Sequence, residues 1–261
     1  MKIRMLFSAI FKLRNLGILL ISLGMAYILT LTVSGLTLFA FPAGAVIYLA
    51  FVIQSLSSVK FHEDFNQKQK IRHIQDLNYS CMRLSSEARK HTNTAYNQKL
   101  RGVMEDKSDI VESFFRGERS FLKEKIVEQT LNLVISYIKL LTNFCIRSKE
   151  LSGVDVSDIA NRLNVNARKL SFTRDINVTE DIRKVINMDE KIIERLKEEK
   201  KDLERINTKL DYMESTVSMF KHQIISSIES EEMLETLETV VNEASALDSV
   251  LQERRKNKIN M

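Results

Sequence analysis

The sequence predicts an all-α protein, and three observations indicate that fold class. Leu16 to Val59 is a stretch of forty-four residues without a charged side chain, enough for two apolar helices. Beyond Lys60 the chain has no proline and only three glycines, whereas sheets joined by tight turns need more turn residues. Apolar residues there recur at helical spacing. We therefore expect a two-helix transmembrane hairpin, then a cytoplasmic helical bundle and a long coiled-coil-like helical arm.

The uncharged stretch predicts a hairpin because it is too long for one membrane span. A single helix of this length would reach about 66 Å, roughly twice the thickness of the hydrocarbon core. Ser34, Pro42 and Gly44 indicate a break near its middle, with the first span near 16–33 and the second ending near Val59. A hairpin that enters one leaflet and returns remains the alternative.

The basic flanks of the stretch predict its orientation. Residues 1–15, expected to form a basic amphipathic interfacial segment, carry four basic groups and no acids, while the remaining basic and acidic groups nearly cancel. Because basic flanks tend to stay in the cytoplasm, we expect an integral membrane protein with both termini cytoplasmic. Anionic lipid head groups at the cytoplasmic face are expected partners. The predicted lipid contacts are Lys2, Arg4, Lys12, Arg14 and Lys60.

The residue patterns do not indicate catalysis, and the charge distribution argues against nucleic acid as a partner. The two cysteines, Cys81 and Cys145, lie in apolar helical patterns and are expected to be buried thiols. The histidines lack the spacing of a zinc helix or a di-iron bundle, and we interpret His62 with Glu63 and Asp64 as a polar patch. We expect no enzyme activity, no cofactor and no metal site.

Residues 60–175 are expected to form the helical bundle. The first helix should continue from the second span, and a polar break at 91–95 should precede the next. The third helix, from about Ser120 to Leu151, is the most apolar and is expected to be the core. It should end at Gly153 in the left-handed conformation. Its predicted buried face is Leu122, Ile126, Leu133, Tyr137, Leu140, Leu141 and Phe144.

Residues 176–261 carry a heptad pattern, which is typical of helices that pair along one seam. Asn177 or Thr179 is expected to cap the long helix, and Ser226 to Ser230 should separate it from the last one. Pairing within the chain and pairing between chains both remain open. The predicted pairing residues are Leu196, Leu203, Ile206, Leu210, Met213, Val217, Phe220 and Ile224.

The sequence divides into four predicted parts with bounds 1–15, 16–59, 60–175 and 176–261. A hairpin, a bundle and a heptad-bearing arm together suggest a membrane-anchored scaffold or adaptor that binds another protein, or itself, through the arm. Two alternatives are a membrane-perturbing or membrane-shaping hairpin protein and a regulatory subunit of a larger membrane complex.

Overall fold

The computed structural model of the protein describes residues 10–11, 13–32, 37–117 and 120–259. Within these residues the regular structure consists of eight α-helices and no strands, which confirms the predicted all-α class. The helices are α1 (Leu13–Thr32), α2 (Thr37–Ser57), α3 (Val59–Ala88), α4 (Thr94–Arg116), α5 (Phe121–Ser152), α6 (Val156–Phe172), α7 (Ile176–Ile225) and α8 (Glu231–Ile259).

The transmembrane prediction for the hairpin is not supported. Among the helices of the described residues, none combines the length and the apolar composition that a membrane crossing requires. The expected localisation, an integral membrane protein with both termini cytoplasmic, is therefore wrong. The prediction relied on missing charge, but uncharged polar residues such as Ser22, Thr30 and Gln54 lie within these helices.

The chain divides into two compact units, Met1–His73 and Ile74–Met261, with the boundary inside α3. In the first unit, α1 and α2 pack against each other. Val52 and Phe61 form a small buried cluster, and the Tyr48 hydroxyl donates a hydrogen bond of 3.0 Å to the Ile10 carbonyl. Ser58 separates α2 from α3, so the expected continuation of the second apolar helix into the next helix is wrong.

The second unit is built around α5, which confirms the helix predicted as the core. Its side chains pack against α4, α7 and α8. The predicted buried face is buried except for Leu122, which is half-buried. Tyr137 of α5, Phe114 of α4 and Phe220 of α7 are among the largest fully buried side chains. Burial of such aromatic groups is a main source of stability in a helical core.

Polar contacts fix the directions of the helices in this unit. The Tyr96 hydroxyl of α4 bonds to Asn207 of α7 at 2.9 Å, and Lys221 further along α7 pairs with Asp106, so these two helices run parallel. Glu229, just before α8, contacts Ser120, just before α5. Further along both helices, Asp248 of α8 contacts Asn143 of α5. The last helix therefore runs parallel to α5. It packs mainly on α5 and makes little contact with α7.

The helix ends follow local side-chain chemistry. Asp155 caps α6 by accepting a bond from the Ser157 amide at 2.9 Å. Asp175 caps α7, whereas Asn177 and Thr179 were expected to do so. Gly153 ends α5 with φ −82° and ψ −3°, so the expected left-handed conformation is wrong. Glycine was therefore not required there for its backbone freedom.

Candidate interaction surface

The second half of α7 is packed into the core of its own chain. Seven of the eight predicted pairing residues are buried there: Leu203, Ile206, Leu210, Met213, Val217, Phe220 and Ile224. The eighth, Leu196, is half-buried. Side chains already covered by the same chain are not available to a second one. This part of the heptad therefore serves intrachain packing in the structure.

The first half of α7 is packed very differently. In its described residues 176–202, Asp189 is the one buried side chain, and α6, which packs on this half, contains none. We call α6 together with residues 176–202 the α6–α7 hairpin. Its seam consists of half-buried apolar side chains on both helices: Ile159, Leu163, Leu170, Ile182, Ile186 and Ile193.

An arginine–carboxylate pair links the two helices of this hairpin. Arg162 donates from Nε to Oδ2 of Asp189 at 2.9 Å and from Nη2 to Oδ1 of the same carboxylate. Such two-point contacts fix geometry as well as supplying attraction. The hydrogen bonds from Arg162 hold the pKa of Asp189 below its usual value. The pair therefore sets the antiparallel register of α6 on α7.

Four exposed apolar side chains form one stripe on the first half of α7. They are Val178, Val185, Met188 and Ile192, which are 46%, 40%, 64% and 38% exposed. Their spacings of seven, three and four residues place them along one helix face. We call these four residues the exposed stripe. It is adjacent to the seam but distinct from it, because the seam uses Ile182, Ile186 and Ile193.

No family model, curated protein or solved structure matches this chain. Its function is therefore argued from the surfaces that the structure shows.

A partly buried ion-pair cluster lies where α7 passes from the hairpin to the core. Arg147 of α5 donates to Glu199 of α7 at 2.6 Å and to Glu150 of its own helix at 2.7 Å. Glu199 interrupts the predicted heptad, and this contact supplies a partner for its charge. Truncation of Arg147 would leave two half-buried carboxylates without a cation. The cluster therefore anchors the middle of the long helix to α5.

The predicted lipid-contact residues belong mostly to the part of the chain outside the described residues. Lys2, Arg4 and Lys12 lie outside the described residues, Arg14 belongs to the first turn of α1, and Lys60 is exposed on α3. Their lipid contacts stay a prediction.

The cysteine and histidine residues considered in the sequence are also placed by the structure. Cys81 and Cys145 are buried, and burial raises the pKa of each thiol to about 11. His62 bonds through Nε2 to the Leu56 carbonyl at 2.6 Å. Across the described residues, no group of three or more histidine, cysteine or acidic side chains could hold a metal ion.

The residues that sequence reasoning missed share one signal. Asp189 lies between Ile186 and Ile193, in the seam of the α6–α7 hairpin. Lys107 lies between Val103 and Ile110, on the apolar face of α4. Both are almost fully buried. A charged residue at a position that the helical period assigns to the core needs a polar partner. A scan for such positions would have indicated both.

Proposed function

We propose that the protein is a non-enzymatic helical scaffold or adaptor that binds a helix of another protein through the exposed stripe. The observation that supports this is the uneven packing of α7, whose second half is buried and whose first half presents apolar side chains to solvent. A contiguous exposed apolar surface often marks an interaction site.

A coiled-coil-like contact suits this stripe. Val178, Val185 and Ile192 are seven residues apart, which is the repeat that keeps one helix face against a partner helix. The β-branched valine and isoleucine side chains are stiff, so little rotamer freedom is lost when they are covered. A partner helix would complete a three-helix bundle with the α6–α7 hairpin. Nucleic acid is not among the proposed partners.

The test uses the full chain with two charges placed on the stripe, as Val185→Glu with Met188→Glu. Both positions are exposed, so the variant should keep the helical circular dichroism of the wild type. Affinity capture with quantitative mass spectrometry should then show at least one partner reduced about tenfold, since desolvating two carboxylates opposes docking. Sedimentation equilibrium of both proteins separates loss of a foreign partner from loss of self-association.

Met219→Glu is the matched control, because Met219 is also an exposed methionine of α7, at 43%, but lies outside the stripe. It should leave the captured proteins unchanged. Identical capture by wild type and the double variant would contradict the proposal. If Met219→Glu and the double variant lose a partner to the same extent, the contact lies elsewhere on α7.

A further inference from the structure

The groove between α3 and α4 contains a buried cation without an acidic partner. Lys107 of α4 is 3% exposed, and its Nζ donates a hydrogen bond of 2.6 Å to Oδ1 of Asn78 on α3. In the part of the chain that the structure describes, no carboxylate lies within ion-pair distance of this nitrogen. A neutral amide oxygen leaves most of the charge uncompensated in a place where water screens it poorly.

The neighbouring thiol does not supply the missing negative charge. Cys81 lies close enough to Lys107 for the two to interact electrostatically, and its Sγ contacts the Leu131 carbonyl at 3.7 Å. Burial raises the pKa of Cys81 to about 11, so the thiol is neutral near pH 7. Burial also lowers the pKa of Lys107, as expected for an ammonium group without a counter-ion.

The acids that line the groove are already paired. Glu105 bonds to Arg101 at 2.8 Å, Glu112 pairs with Arg116, and Asp109 lies 3.8 Å from Lys221. Arg89, an exposed residue on the same groove, has no acidic partner among the described side chains. The groove therefore has unbalanced positive charge and lacks unbalanced negative charge.

The shape and apolar lining of the groove suit a helix. It encloses about 930 Å³ and is lined by Met82, Met104 and Val111 as well as by Lys107. The lining residues run from Asn78 of α3 to Arg89, just after its last residue, a length of roughly 16 Å or three helical turns. Methionine side chains adapt readily to an incoming apolar surface. A helix can bury its apolar side chains there and place a carboxylate beside Lys107.

We propose that the α3–α4 groove docks an amphipathic helix of a partner protein whose apolar face carries one acidic side chain, and that Lys107 binds that carboxylate. The groove shares no residue with the exposed stripe, so this proposal and the proposed function can fail separately. An adaptor needs two surfaces, and this groove would be the second. A charge-assisted bond in a desolvated groove gives specificity as well as affinity.

The test uses two labelled helical peptides of about 18 residues and the full chain. Both peptides carry leucines along one face, and the centre of that face holds glutamate in one and glutamine in the other. Fluorescence anisotropy should show the glutamate peptide binding wild type about tenfold more tightly. Lys107→Met should reduce this ratio to about one. Met82→Glu, at an exposed position of the groove, should weaken both peptides about tenfold, since it adds a negative charge and removes an apolar contact.

Met219→Glu again serves as the control and should not change either affinity. Equal binding of the two peptides by wild type, binding of neither, or a glutamate preference that survives Lys107→Met would overturn the proposal. If Lys107→Met fails to fold, unchanged binding by Met82→Glu would overturn it instead. A melting temperature that sodium phosphate or acetate raises in wild type but not in Lys107→Met, with neither peptide binding, would indicate a free-anion site and refute helix docking.

Discussion

The two halves of α7 belong to one continuous helix of fifty residues and carry similar apolar periodicity, yet they have different surroundings. In residues 203–225 the apolar side chains at heptad positions are covered by α4, α5 and neighbouring parts of the second unit. In residues 176–202 one helix, α6, provides most of the cover, and the exposed stripe stays uncovered. The difference is therefore in the number of packed neighbours and not in the pattern of the helix itself.

This difference shows what a heptad can indicate. A repeat of seven places apolar side chains along one face of a helix, but it does not state how much of that face the rest of the chain covers. The first half of α7 is held largely by a half-buried seam and the Arg162–Asp189 pair. Such sparsely packed regions open more readily than a core, and binding elements are often drawn from them.

The largest expected contrast comes from replacing one methionine in each half of α7. Met213 is 0% exposed and Met188 is 64% exposed. Met213→Ala should lower the free energy of unfolding by about 2–5 kcal/mol, since it removes buried contacts and leaves a cavity. Met188→Ala should change it by less than about 0.5 kcal/mol. Urea unfolding of the full chain, followed by circular dichroism, measures both.

Both substitutions replace methionine with alanine in the same helix. The change in helix propensity is therefore the same at the two positions and cancels in the comparison. Equal losses at the two positions would show that the first half of α7 is covered in solution. That result would remove the basis for the exposed stripe as a free surface.

The sequence predicted helices and core faces well because these depend on local periodicity. Leu133, Tyr137, Leu141 and Phe144 are buried as their spacing indicated. The packing of α8 on α5 could not be predicted from periodicity, because the apolar face of α8 could pack on several helices equally well. Periodicity gives the buried face of a helix, whereas its partner depends on all the other helices.

The candidate surfaces were harder to predict, and the membrane prediction failed. Val178 and Val185 are valines, like many core residues, so residue type alone does not distinguish them from buried positions. Their exposure depends on which helices pack around them. Lys107 and Asn78 are twenty-nine residues apart, and their contact depends on how the chain turns between α3 and α4. The uncharged stretch was interpreted from its length, its missing charges and its basic flanks, and the described helices do not meet the requirements of a span.

A second, smaller contrast comes from the ion pair of the α6–α7 hairpin. Asp189→Asn should increase amide hydrogen exchange several-fold in residues 176–202 and leave the core amides of α5 unchanged. The Arg162 bonds lower the pKa of Asp189 in the folded state relative to its ordinary value of 3.8. The contribution of the ionised Asp189 side chain to stability is therefore fully present above its pKa in the unfolded chain. It is lost as the pH falls through the lower pKa of the folded state.

The pH dependence gives this prediction a direct check. Exchange rates corrected for intrinsic chemistry should differ between wild type and Asp189→Asn at pH 7 and should converge in strong acid. Asp181→Asn is the control, because Asp181 is an exposed acid of the same half that lies 3.6 Å from Lys184. Its effect should be small at every pH. A uniform rise in exchange across α5 and both halves of α7 would contradict a local role for Asp189.

The smallest expected contrast separates two tyrosines that pack around the second half of α7. The Tyr96 hydroxyl is bonded to Asn207, so Tyr96→Phe should cost about 1 kcal/mol in the free energy of unfolding. The Tyr137 hydroxyl is buried without a hydrogen-bond partner in the described part of the chain, so Tyr137→Phe should be neutral or stabilising by up to about 1 kcal/mol. Urea unfolding at pH 7 measures both. A clear loss of stability in Tyr137→Phe would mean that its hydroxyl has a partner in solution, and the second half of α7 would then be held by polar contacts as well as by apolar burial.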